Sequence, residues 1–106
     1  MTAELDRILT TEWILTELAD ALSAPGWRQA FLKLYDGMAR REDITIIEFD
    51  KSIGQAGLRL YRRRNDKSWS LTDCVSFAVM RENEIDTALT GDHHFTQAGF
   101  KILFPD

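Results

Sequence analysis

The stretch Ser68-Trp69-Ser70-Leu71-Thr72-Asp73-Cys74-Val75-Ser76-Phe77 sets one acid, Asp73, in the first turn of an otherwise apolar helix. A carboxylate there is costly to desolvate unless something pairs with it. A second acid, Asp92, closes the next apolar run, Thr87-Ala88-Leu89-Thr90-Gly91. A third, Glu17, stands at the edge of an apolar helix face near the N-terminus. Three acids on three such elements suggest a divalent-metal site and metal-dependent phosphoester chemistry. An all-carboxylate set favours Mg²⁺ or Mn²⁺ over zinc. The expectation is that Glu17, Asp73 and Asp92 converge closely enough to share one cation.

Each acid also admits a structural role, and the letters leave both open. Ser70 and Asp73 form an S-x-x-D pattern close to a capping box, and Asp73 suits the positive end of the helix dipole. Asp92 is placed to N-cap a turn around Phe95, yet ligands of α/β sheets also collect beyond the carboxyl ends of strands. Glu17, between Trp13 and Ala21, is equally a solvated boundary residue. His93 and His94 are adjacent and should diverge, so a partly buried packing pair beside Phe95 is expected rather than two ligands of one ion. Cys74 reads as a small buried hydrophobe, not a nucleophile, and Trp69 as core. Arg59, Arg62, Arg63, Arg64 and Lys67 are either a solvated helix end with cations at its C-terminus or a phosphate-facing patch. Tyr61 and Trp69 interleave them with rings able to stack on bases.

The elements that must position these residues follow from periodicity. A helix begins near Thr11, with Ile14, Leu15, Leu18, Ala19 and Leu22 on one face, and Ala24-Pro25-Gly26 should end it. A second runs from Gly26 or Trp27 to Arg40, with Phe31, Leu34, Tyr35 and Met38 on one side. Ile44 to Phe49 is rich in β-branched residues and reads as a strand. Asp50 opens a third helix, Lys51 to Arg64, with Ile53, Ala56, Leu58 and Leu60 as candidate core. Ser70 caps a fourth, which runs to about Asn83. Ile8–Thr10, Thr87–Thr90 and Lys101–Phe104 read as short strands, the last at an edge, and Phe95–Ala98 as one helical turn. Helices alternating with short apolar strands point to α/β architecture with a parallel sheet.

At 106 residues the chain is expected to form one domain, residues 1–106. The net charge of −4 does not announce a nucleic-acid binder, though a local basic patch could still serve. A single cysteine rules out an internal disulfide and fits a reducing compartment. No apolar run approaches the ~20 residues of a membrane span and no signal segment follows Met1, so the cytoplasm is expected.

Three strings carry a family resemblance: Thr10-Thr11-Glu12-Trp13-Ile14-Leu15-Thr16-Glu17-Leu18-Ala19, Asp66-Lys67-Ser68-Trp69-Ser70-Leu71-Thr72-Asp73-Cys74, and Leu89-Thr90-Gly91-Asp92-His93-His94-Phe95-Thr96-Gln97-Ala98-Gly99-Phe100. In this order they resemble a PIN domain, most closely of the VapC toxin type. The resemblance implies a three-layer α/β/α sandwich with a parallel sheet and a metal-dependent endoribonuclease activity. It implies Glu17, Asp73 and Asp92 as catalytic metal ligands for Mg²⁺ or Mn²⁺, with Ser70 and Thr72 behind them. RNA is the implied substrate and an antitoxin protein the implied partner. Guidance of RNA by Arg59, Arg62, Arg63, Arg64 and Lys67 is a reading of their position. PIN domains begin with a central strand ending in an acid. Here Met1–Arg7 instead resembles the tail of the helix before the second strand, with Glu4 and Asp6 out of context. An N-terminally truncated fold lacking that strand is therefore expected, with weakened catalysis and exposed edges that drive association into a homodimer. The alternative is a non-catalytic PIN-like interaction protein that binds an antitoxin or itself.

Overall fold

A computed structural model of the chain describes residues 8–88 and 90–102. The chain divides into two compact units, Met1–Phe49 and Asp50–Asp106.

The first unit contains β1 (Ile8–Thr11), α1 (Glu12–Ala21), α2 (Arg28–Arg40) and β2 (Ile44–Ile47). Two helices lie between the strands, and such a crossover lets them pair in parallel. The register runs from Ile8↔Ile44 to Thr11↔Ile47. Thr11 ends the strand and caps the helix at once. It is buried, and its Oγ1 accepts the Ile14 amide at 3.2 Å. The Glu12 carboxylate accepts the Phe49 amide, and the Trp13 ring meets Phe49 edge-on at 4.7 Å, so the start of α1 is tied to the chain beyond β2.

Two expectations need correction in this unit. The first helix stops at Ala21, short of Pro25. Ser23 Oγ donates to the carbonyls of Ala19 and Asp20, and such local side-chain bonds compete with the helical ladder. Leu34 is not core but 47% exposed, because the inward stripe of α2 centres on Phe31, Tyr35 and Met38 and leaves Leu34 at its margin.

The second unit contains α3 (Lys51–Arg63), α4 (Leu71–Glu82), β3 (Thr87–Ala88), α5 (His93–Gln97) and β4 (Lys101–Ile102). Asp50 caps α3, its Oδ1 accepting from the amides of Ser52 and Ile53. Helix α3 turns Gly57 and Leu60 inward, while Leu58, expected in the core, faces out. It lies about 100° round the helix from Gly57. A Cβ at Gly57 would sit 2.9 Å from Val75 Cα, so the absent side chain is what lets α3 and α4 approach. Helix α4 buries Cys74, Val75, Ser76, Phe77, Val79 and Met80, all but its exposed ends and one strip.

Strands β3 and β4 pair in parallel, Thr87↔Lys101 and Ala88↔Ile102. The expected extensions of these strands through Leu89 and to Leu103 and Phe104 lie outside the described residues, as does the segment Met1–Arg7. The expected turn at Phe95 begins two residues earlier, at His93, because Asp92 caps it directly. Among the described residues no helix is long and apolar enough to cross a membrane.

Two substitutions test this packing. Gly57→Ala should lower stability by about 1–3 kcal/mol through overpacking against Val75. Ser76 Oγ is buried with no hydrogen-bond partner among the described residues, so Ser76→Ala should raise stability by roughly 1 kcal/mol. Urea titration followed by circular dichroism measures both.

Candidate metal centre

Helix α4 presents Asp73 from its first turn. Its carboxylate Oδ2 accepts the Ser70 amide at 3.1 Å, while Ser70 Oγ accepts the Asp73 amide at 3.0 Å. The capping box read from the sequence is therefore present, and it fixes the direction of the Asp73 side chain. Helix α5 presents Asp92 as its N-cap. Asp92 Oδ1 accepts the His94 amide at 2.9 Å, and its own amide donates to Thr90 Oγ1 at 3.1 Å. Capping thus serves both acids without excluding a ligand, because each leaves one carboxylate oxygen outside these bonds.

His94 joins the two acids. Its Nδ1 lies 2.9 Å from Asp73 Oδ2 and 3.6 Å from Asp92 Oδ1. A carboxylate only accepts, so Nδ1 carries the proton of the shorter contact. One ligand atom from each of Asp73, Asp92 and His94 falls within 4.8 Å of the other two. The three side chains are exposed by 16%, 42% and 30% respectively, so the cluster opens to solvent on the Asp92 side. The expected His93–His94 packing pair is not formed. His93 is exposed, whereas His94 turns toward the acids. The Asp92 cap, which places the second helical residue beside its carboxylate, was the signal in the sequence that could have singled out His94.

The two helices are held in register by aromatic packing. Phe77 is fully buried and meets Trp69 at 5.0 Å, Phe95 at 4.8 Å and Phe100 at 5.7 Å between ring centroids. Phe95 follows His94 directly, so the contact that seats α5 on α4 also sets the separation of Asp92 and Asp73. Trp69 Nε1 donates to Gln97 Oε1 at 2.9 Å and ties the far end of α5 to the chain before α4.

The donor set fits a hard divalent cation. Carboxylate oxygens suit Mg²⁺ or Mn²⁺. The imidazole is already committed through Nδ1–H to Asp73, an arrangement that orients a ligating carboxylate.

Glu17 belongs to the first unit, on α1, where it is exposed and makes no hydrogen bond or ion pair among the described residues. Ser70 holds Asp73 as described. Thr72 is half-buried on the same turn. Of the basic residues, Arg59, Arg62 and Arg63 are exposed on α3. Arg64 is taken by Asp66 in a two-bond pair at 3.0 and 3.1 Å, which holds the Asp66 carboxyl below the usual range. It also lies 5.1 Å from the centre of the Trp69 ring. Trp69 is buried, as expected of core.

Cys74 is 1% exposed, and burial, then the neighbouring Asp73 charge, push its thiol above the ordinary value. It should therefore resist a disulfide reagent at pH 8 in the folded protein and react promptly in denaturant, a difference read by thiol release. Ser70→Ala removes one half of the capping box. It should cost about 1 kcal/mol in thermal or urea unfolding.

Comparison with known proteins places these features. No curated protein matches the chain. Among solved structures, the VapC20 toxin of Mycobacterium tuberculosis, described as cleaving the sarcin–ricin loop, superposes with a TM-score of 0.77 at 23% identity. The match covers 90% of this chain and 72% of that one, and it is a likeness of fold. The PIN domain family profile matches residues 1–101. With parallel strands, five helices among the described residues and this match along nearly its whole length, the chain belongs to the PIN domain family.

Proposed function

We propose that the chain is a divalent-metal-dependent endoribonuclease of the VapC toxin type, acting as a single PIN domain. The observation that carries the reading is the approach of Asp73, Asp92 and His94 to within 4.8 Å of one another. Asp73 and Asp92 bind Mg²⁺ or Mn²⁺, and Glu17, which makes no hydrogen bond or ion pair among the described residues, is kept as a ligand on the family resemblance alone. A cation held there would supply charge neutralisation at the attacked phosphate and would lower the pKa of a bound water. The chain's own groups orient this chemistry. Ser70 and His94 both bond Asp73 Oδ2, which leaves Oδ1 outside these bonds. Asp92 is held by its capping bonds. Thr72 stands behind the acids, and Arg59, Arg62 and Arg63 supply exposed positive charge for the RNA backbone. The protein works in the cytoplasm in this reading.

The test is cleavage of single-stranded RNA by the purified chain with and without Mn²⁺. Cleavage should require the ion and vanish with EDTA. Asp73→Asn and Asp92→Asn should each lower the rate about a hundredfold or more, and His94→Ala about 10–100-fold. Equal rates in the wild type and Asp73→Asn would refute the assignment.

A protein partner is favoured by a separate observation. On and beside α2, Trp27 and Leu34, seven residues and so about two turns apart on one side, are exposed by 61% and 47%. Large apolar side chains grouped in this way mark interaction surfaces. A second copy of the chain or an antitoxin would cover them. Light scattering at micromolar concentration should report a dimer; a monomer throughout that range rules out self-association.

A further inference from the structure

The first turn of α4 carries Asp73 and Cys74 side by side, and Cys74 lines a cavity of about 390 Å³ between α3 and α4. That volume falls in the range of small-ligand sites, roughly 300–1,000 Å³. The other walls are Tyr61, Asn65, Lys67, Ser68 and Trp69, with Arg64 alongside. Two of these are already committed. Trp69 is buried with its indole N–H on Gln97, and Arg64 lies over that indole with its guanidinium closed by Asp66. The others are free to receive a ligand. Tyr61 is 48% exposed. The side chains of Asn65, Lys67 and Ser68 make no hydrogen bond among the described residues. Lys67 adds a positive charge to the cavity wall, and the neighbouring Asp66 feels it as well as the Arg64 guanidinium that binds it.

The geometry points to a nucleotide-binding subsite in this cavity: a base of the RNA strand stacks on Tyr61, Asn65 and Ser68 bond its polar edge, and the Lys67 ammonium takes the adjoining phosphate. The inference rests on the ribonuclease reading and extends it. An aromatic face, an amide and an ammonium within one cavity match a nucleotide better than an acidic peptide, which offers no ring to the tyrosine. Cys74 in the cavity wall follows Asp73 directly on α4. Stacking on an aromatic tolerates every base, and the polar edge contacts supply any preference.

The experiment uses the intact chain in EDTA, so that no strand is cut, and a short fluorescent single-stranded oligoribonucleotide followed by anisotropy. Tyr61→Ala should weaken binding about tenfold, while Tyr61→Phe should bind as the wild type does. Lys67→Met should weaken it by a similar factor and reduce the salt slope by about one. With an oligomer lacking its bases, wild type and Tyr61→Ala should bind alike, a result that a merely structural tyrosine would not produce. Mn²⁺ affinity, measured by calorimetry, should be unchanged in all three variants. If the wild type binds Mn²⁺ and cleaves RNA while Tyr61→Ala and Lys67→Met bind RNA normally, the subsite is refuted and the ribonuclease reading stands. If the wild type binds no RNA, or binds an acidic peptide at this cavity instead, the subsite is refuted. Absence of Mn²⁺-dependent cleavage in addition removes the ribonuclease reading.

Discussion

The second unit depends on one buried ring. Phe77 touches Trp69 before α4, Phe95 on α5 and Phe100 after it, all within 6 Å of ring centroid separation. Aromatic pairs at such distances add directional preference to area burial, about 0.5–1.5 kcal/mol each. A five-residue helix such as α5 has almost no stability of its own. Its position is therefore borrowed from this cluster, and Asp92 and His94 occupy their places because Phe95 is held in its own.

The acids show how capping and ligation coexist. A carboxylate has two oxygens and about four lone-pair directions. Asp73 spends one oxygen on the Ser70 amide and on His94, and Asp92 spends one on the His94 amide. The second oxygen of each is what a cation would take. The structural and chemical roles that the sequence left as alternatives are thus both compatible with the same side chains. Bonds to the first oxygen limit rotation, so the entropy of ordering the ligand is largely met before any cation arrives.

Much of this arrangement was legible in the letters. The caps at Thr11, Asp50, Ser70 and Asp92 follow from local hydrogen bonding, and local rules suffice for them. The parallel strand pairs followed from β-branched runs separated by helices. The family was legible from three strings that span most of the chain. What failed was decided by rotation or by competition. Leu34 and Leu58 sit on helices whose inward faces are only a few residues wide, so a hydrophobic type did not settle orientation. The first helix ended early because of one serine hydroxyl. His94 was missed because adjacency to His93 suggested divergence without saying which of the two would turn inward.

In the proposed centre Asp73 and Asp92 take the same cation. Anomalous diffraction from crystals soaked in Mn²⁺ addresses it directly. A peak is expected at about 2.1–2.3 Å from a carboxylate oxygen of each residue. Strong peaks elsewhere on the protein, with none between these two carboxylates, would contradict it.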